Sequence, residues 1–257
     1  MKTIILAGGW GSRLGTLSEL VPKPMLKIGG KPILWHIMKL YSYYGYDDFI
    51  IALGVKGEVI KEYFYNFEAL NSDFTIQLST GKISFHNKHT ETKWSVTLVD
   101  TGLNTLKGGR IKRLEKYIND EINMLTYGDG LTNLNLNELI KFHKSHGKVL
   151  TFTGVRPSGR FGEFKEHKNK VISFTEKPKN GKALINGGYM VFNKSLFNYL
   201  TTSENCDFEN NALEELAKRG EVMVYKHNGH WECMDHERDF AYLNSLWNQR
   251  DAFWKVW

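Results

Sequence analysis

Short runs of β-branched and aliphatic residues recur along the chain, and most are followed by stretches whose apolar positions fall three and four apart. Residues 3–6, 48–53, 123–127 and 148–155 read as buried strands. Between them, 33–44 carries Ile33, Leu34, Ile37, Leu40 and Tyr41 on one helical face, with Pro32 fitting the first turn and Gly45 the stop. Further helices are expected at 58–65, 111–118, 136–143, 208–218 and 237–247, and further strands at 171–175, 185–192 and 222–225. Strand alternating with helix predicts an α/β fold: one Rossmann-like domain over residues 1–257, built on a doubly wound, mainly parallel sheet with C-terminal helices.

The middle has a different texture. Segments 74–78, 83–86 and 95–99 alternate apolar with polar and are broken by Ser79-Thr80-Gly81 and by a polar stretch at 87–92. They predict a small β excursion over about 70–104 whose exposed strands reach a neighbouring subunit. The tail, with Trp247, Phe253, Trp254 and Trp257, is an aromatic cluster too costly to leave in water. It either folds back or buries against another subunit, and self-association, hence a homo-oligomer, is the expectation.

Composition narrows the classes. Only Cys206 and Cys233 are cysteines, which gives no disulfide framework and suits a reducing cytoplasm. No apolar run approaches the roughly 20 residues that span a bilayer, so no membrane partner is expected. The net charge of +6 is scattered along the chain without a nucleic-acid-binding pattern, so nucleic acid is not an expected partner.

The candidate chemistry gathers at strand ends. Strand 3–6 opens into Ala7-Gly8-Gly9-Trp10-Gly11-Ser12-Arg13-Leu14, where glycines let the backbone approach a ligand and aim N–H groups at phosphate. Arg13 adds a planar cation, and Lys23, stiffened between Pro22 and Pro24, a second. A P-loop is excluded because Ser12-Arg13 follows Gly11 in place of Lys-Ser/Thr, and the dinucleotide fingerprint fails at Leu14, where its third Gly belongs. Asp129, between Gly128 and Gly130 at the end of strand 123–127, stands where α/β sheets bind ligands and is a good Mg²⁺ ligand. Gly108-Gly109-Arg110, just before a helix, leaves room for an anion. The loop carrying Arg160 has glycines that permit contact with a sugar. His36 lacks a partner at ligand spacing and reads as a packed or surface histidine; His143 and His146 are three apart but have no third ligand beside them, and read as surface histidines. Asp235 precedes the last helix, where it would cap the N-terminus.

Leu6 to Leu14, followed by Pro22-Lys23-Pro24-Met25, resembles the nucleotide-binding signature of the sugar-1-phosphate nucleotidylyltransferase family. The resemblance covers nearly the whole chain. Its runs Lys-Pro-Ile-Leu-Trp-His-Ile-Met, Val-Thr-Leu-Val-Asp-Thr-Gly, Thr-Tyr-Gly-Asp-Gly, Gly-Arg-Phe-Gly and Ile-Asn-Gly-Gly are most similar to the branch that joins CTP to glucose 1-phosphate. That implies CTP and a hexose 1-phosphate as partners, Mg²⁺ as cofactor, and a product used for deoxysugars of bacterial surface polysaccharides.

The resemblance assigns nucleotide contacts to Leu6, Ala7, Gly8, Gly9, Gly11, Ser12, Arg13, Lys23, Thr101, Arg110 and Gly128. It puts Arg160, Glu176, Lys177, Asn186 and Gly188 against the sugar phosphate. It adds Asp235 to Asp129 on the metal, and it makes Arg13, Lys23 and Asp129 catalytic. Glu232, Cys233 and His236 depart from the Gln, Pro and Thr of the family pattern.

Overall fold

The computed structural model describes residues 1–87, 89–157, 163–167, 170–175 and 184–257. In chain order the elements are β1 (Thr3–Leu6), β2 (Lys27–Ile28), β3 (Lys31–Pro32), α1 (Ile33–Tyr43), β4 (Asp48–Leu53), α2 (Gly57–Tyr65) and α3 (Phe67–Asn71). Then come β5 (Phe74–Gln77), β6 (Lys82–Phe85), β7 (Ser95–Asp100), α4 (Lys107–Arg113), β8 (Ile122–Tyr127), β9 (Gly130–Thr132), α5 (Leu136–His146) and β10 (Leu150–Val155). The remainder is β11 (Glu163–His167), β12 (Lys170–Thr175), β13 (Ile185–Asn193), α6 (Glu214–Lys218), β14 (Val222–Lys226), β15 (Trp231–Cys233) and α7 (Glu237–Asn248).

A 7-stranded sheet runs β14-β10-β13-β8-β1-β4-β7 and is parallel except for β13, which pairs antiparallel with both β8 and β10. The mainly parallel, doubly wound α/β sheet expected from the alternating pattern is therefore present. Side-chain alternation along β1 feeds two cores: Ile5 joins the layer of α1, α2, α5 and α7, while Ile4 and Leu6 join that of α4 and α6. From β1 the chain winds outward to β4 and β7, then returns to β8 on the other side of β1. The order reverses between β1 and β8. Their carboxyl ends, Gly8 and Gly128-Asp129, thus flank the crevice where open α/β sheets bind ligands.

Three expectations are corrected here. Residues 95–100 do not belong to the excursion, because β7 completes the central sheet as a parallel edge strand, in register Asp48↔Ser95 to Leu53↔Asp100. The alternation that suggested an exposed strand reflects an edge position. Only β5 and β6 stand apart, as a two-stranded hairpin.

Gly108, Gly109 and Arg110 lie within α4 rather than before it. The two glycines let α4 approach the 203–207 segment: a Cβ at Gly108 would sit 2.8 Å from the Cys206 carbonyl.

The aromatic tail folds back on its own chain. Trp254 is fully buried, donates Nε1–H to His36 Nδ1 at 3.3 Å and stacks with Trp247, while Trp257 packs edge-on to Trp35. Trp254 is thereby taken into the core, with Trp247, Phe253 and Trp257 partly buried around it.

The histidines are tied down. His36 is buried between the Ile28 carbonyl, 2.8 Å from Nε2, and Trp254, and burial foremost lowers its pKa to about 4. His143, expected at the surface, is instead 1% exposed, because α5 lies on the sheet there and the imidazole bonds Thr151 and Asn193; His146 reaches the same Thr151 hydroxyl. The pair shares one hydroxyl.

Candidate active site

Among the three glycines after β1, only Gly11 needs positive φ, at 66°. Gly8 is required for space, because a Cβ there would run into the Arg110 guanidinium and lie 2.9 Å from the Gly54 amide; Gly9 faces open space. The loop then coils into a 3-10 segment, Ser12–Ser18. Lys56, at the start of α2, braces it by donating to the carbonyls of Ser18 and Glu19.

Beyond it Pro22 is extended at φ −68° and leads into a single 3-10 turn, Lys23–Met25, closed by Met25 N–H to the Pro22 carbonyl at 2.8 Å. Pro24 packs over Gly128, where a Cβ would be 3.1 Å from Pro24 Cγ and 2.9 Å from the Leu6 carbonyl. The turn is thus seated against the ends of both β1 and β8, and Lys23 projects from it into the crevice.

There Lys23 Nζ lies 2.7 Å from Asp129 Oδ2 and 2.7 Å from Asp235 Oδ1. Burial alone would lower the Lys23 pKa; the two carboxylates outweigh it and hold the ammonium above its ordinary range. Asp235 is held below the usual carboxylate range, since Lys23 and Arg13 outweigh its own burial. Arg13 forms a fork on the same carboxylate, with Nη1 and Nη2 each 3.1 Å from one of its oxygens.

Asp129 and Asp235 are joined by a small antiparallel pairing, β9 with β15 in register Gly130↔Cys233, continued by Met234 N–H to the Asp129 carbonyl at 2.9 Å. Asp235 does not cap α7. The cap is His236, and Asp239 accepts the N–H groups of both Asp235 and His236 at 3.0 and 2.9 Å, fixing the loop that aims Asp235 inward.

Two carboxylates converging on one cation, with hard oxygen donors and an open side toward the loop, suit Mg²⁺, which keeps waters and takes phosphate oxygens as its other ligands. Among the described residues no group of three or more His, Cys, Asp and Glu is placed to hold a metal by itself.

Other predicted residues are distributed unevenly. Leu6, Ala7, Gly8, Gly9, Gly11 and Arg13 line up along the first loop, and Thr101 sits at the end of β7 with its hydroxyl donated to the Leu53 carbonyl at 2.6 Å. Arg110 differs from the expectation of an anion-facing cation. It is buried, and its guanidinium donates to the carbonyls of Gly8, Leu53, Gly102 and Leu103 and to the Thr101 hydroxyl, at 2.7 to 3.1 Å. Its donors clamp the ends of β1, β4 and β7 beneath the glycine loop, so in this arrangement it acts through the loop.

Asn186 and Gly188 stand across the crevice, Asn186 Oδ1 accepting Gly188 N–H at 2.9 Å and its amide reaching Tyr127 Oη at 3.3 Å. Arg160, Glu176, Lys177 and the side chain of Ser12 lie outside the described residues.

The sequence reading passed over three contributors and noted a fourth, Cys233, only as a departure from the family pattern. Lys56 and Asp239 brace the two loops; Asp239 was legible as the acidic third residue of α7, a capping-box position, whereas Lys56 left no local signal. Tyr127 donates to Glu209 at 2.7 Å and underlies Gly188, joining strand ends far apart in sequence. Cys233 lies 3.5 Å from Asp235 Oδ2, and burial together with the neighbouring carboxylates pushes its thiol up to about 12, so it stays protonated beside the acidic pair.

Among known proteins, a family model described as nucleotidyl transferase matches residues 2–248. The glucose-1-phosphate cytidylyltransferases of Salmonella typhimurium and Salmonella typhi are each 48% identical over 258 aligned positions, covering 100% of both chains. A solved UDP-glucose pyrophosphorylase in complex with UDP-glucose superimposes with a TM-score of 0.69 at 17% identity, covering 97% of this chain and 98% of the other; at that identity it speaks for the fold alone. Full-length sequence similarity, the sheet order and the loop between β1 and the Lys23 turn agree that this chain belongs to the nucleotidyl transferase family.

Proposed function

We propose that the chain transfers the cytidylyl group of CTP to α-D-glucose 1-phosphate, giving CDP-glucose and pyrophosphate. The observation that carries the chemistry is Lys23 held between Asp129 and Asp235 at the point where the strand order reverses. The full-length 48% identity to glucose-1-phosphate cytidylyltransferases supports the choice of base and sugar.

An oxygen of the sugar phosphate attacks the α-phosphorus of CTP; the bond from that phosphorus to the bridging oxygen breaks, and pyrophosphate leaves with the electron pair. The attacking phosphate is already ionised, so no protein nucleophile or base is required. Catalysis then falls to charge and position. Arg13 balances charge on the departing pyrophosphate, and Lys23 holds the α-phosphate at attacking distance. Backbone N–H groups of the 8–12 loop meet the β- and γ-phosphates, and Arg110 keeps that loop in shape from below. Asn186 and Gly188, with Arg160, Glu176 and Lys177, take the sugar phosphate. Asp129 and Asp235 would hold Mg²⁺, which supplies charge neutralisation across the reacting phosphates when bound.

The unpaired Cys206 and Cys233 suit a cytoplasmic enzyme, and the chain is read as a homo-oligomer. Among the described residues no helix is long and apolar enough to cross a membrane.

The test is pyrophosphate release with glucose 1-phosphate and Mg²⁺, offering CTP, UTP, dTTP, ATP and GTP separately. Turnover is expected with CTP, and Asp129→Asn, Asp235→Asn and Lys23→Met are each expected to lower the rate by about 10² to 10³. Turnover only with another nucleotide would move the assignment to a different base on the same fold. CTP binding without release on any phosphorylated sugar would make the chain a nucleotide-binding module.

A further inference from the structure

β2 follows the Lys23 turn directly and, among the described residues, pairs with no strand but the short β3. Backbone groups on its free edge must find other partners. They find one side chain of α7. Asn244 Oδ1 accepts the Gly29 N–H at 3.1 Å, and Asn244 Nδ2 donates to the Lys27 carbonyl at 3.3 Å and to the Phe240 carbonyl of its own helix at 3.1 Å. The amide thus meets Lys27 and Gly29 as a residue of a neighbouring strand would, and its acceptor and both donors are used. Trp247, on the same side of α7, covers Gly29 and leaves no room there for a Cβ.

The other end of α7 lies in the active site. Asp239 accepts the N–H groups of Asp235 and His236. Glu237 stands against the segment that carries Arg13, where a Cβ on Gly15 would be 3.1 Å from Glu237 Oε1. Glu237 and Asn244 are separated by about two turns, roughly 10 Å of helix. One stiff element therefore holds Asp235 at its start and the strand leaving Lys23 farther along.

Lys23 meets its two carboxylates through separate supports. Toward Asp129, Pro24 seats the turn on Gly128 at the end of β8. Toward Asp235 the link runs through β2, which is joined to the turn by the Leu26 N–H donated to the Lys23 carbonyl at 3.2 Å and fastened to α7 by Asn244.

We propose that Asn244 is a positioning residue for the transfer reaction: by pinning β2 to α7 it sets the separation of Lys23 from Asp235, and so the place of the ammonium that holds the α-phosphate. This rests on the assignment of Lys23 to that phosphate. Asn244 touches no reacting atom and acts through Lys23.

Asn244→Leu tests it, since it removes all three bonds at a half-buried site with a residue that favours helix. In crystals of the variant, Lys23 Nζ is expected to stand about 1 Å or more farther from Asp235 than in wild type, a displacement large enough to matter for rate, and to keep its contact with Asp129. In turnover with CTP and glucose 1-phosphate, kcat is expected to fall about 10- to 100-fold, with KM for CTP within about two-fold of wild type because Arg110 and Lys56 still hold the glycine loop. Asn244→Asp keeps the acceptor for Gly29 and loses both donors, and its kcat should fall between the two. Made in a Lys23→Met background, Asn244→Leu should cost less than about two-fold more, because the group it positions is gone. A role in general stability would lower both backgrounds alike. An unmoved Lys23 in the variant crystal, or an equal loss of kcat in both backgrounds, would overturn the proposal. A wild type that turns over no nucleotide would overturn the catalytic reading instead, and the crystals would still decide whether Asn244 sets the Lys23–Asp235 separation.

Discussion

The crevice above β1 and β8 and the β5–β6 hairpin are built by opposite rules. In the crevice Lys23 is held by two carboxylates, Asp235 by Lys23 and Arg13, and the loop beneath by Arg110 and Lys56. On the hairpin, by contrast, the paired apolar side chains still meet water over nearly half their surface. A phosphate-transfer site needs charges fixed before substrate arrives, since catalysis there depends on position, and fixing them requires contacts from elements far apart in the chain.

Changes that strike the supports of the crevice should therefore be expensive, and those on the hairpin's polar face nearly free. The largest stability effect is expected from Trp254→Ala, which empties a fully buried indole site behind β2 and α1 and should destabilise by about 3 to 5 kcal/mol. Chemical denaturation measures it, and a loss under 1 kcal/mol would mean that the tail is not part of the core.

Arg110→Met should cost about 3 kcal/mol, because buried carbonyls at three strand ends lose their donor. It should also weaken CTP binding, as seen by titration calorimetry. Retained stability with lost binding would instead mark Arg110 as a direct nucleotide ligand.

His36 gives a pH-dependent effect. Its folded pKa of about 4 lies below the unfolded value near 6.5, so the unfolded chain binds the proton first as pH falls. Stability from this group is complete above about pH 6.5 and is lost on going down to about pH 4, by roughly 3 kcal/mol. His36→Gln should flatten that part of the stability profile.

At the small end, Thr75→Val on the hairpin's polar face, where the hydroxyl bonds only exposed His86, should change stability by less than about 0.5 kcal/mol.

The sequence determined the strands, most helices and the identity of the chemistry. Hydrophobic period is a local property, and Leu6 to Leu14 with Lys23 is local enough to be read directly. Asp129 was placed correctly at a strand end because a short run followed by Gly-Asp-Gly carries its own geometry. Where side-chain patterns meet two physical demands, the reading fails: an edge strand alternates like an exposed one, which misplaced 95–100, and a Gly-Gly that admits an anion equally admits another backbone, which misplaced Arg110.

That Asp235 stands beside Asp129 was implied by the family resemblance and not by any local pattern; the tertiary structure supplies the reason, a β9–β15 pairing that bridges about a hundred residues of chain and leaves no periodic trace. It also decided that the tail closes on His36, that Lys56 and Asp239 brace the site, and that the β5–β6 hairpin stands apart from the central sheet. Local sequence fixes what a segment can be. Which segments meet depends on the summed burial of two cores, and no single stretch carries that sum.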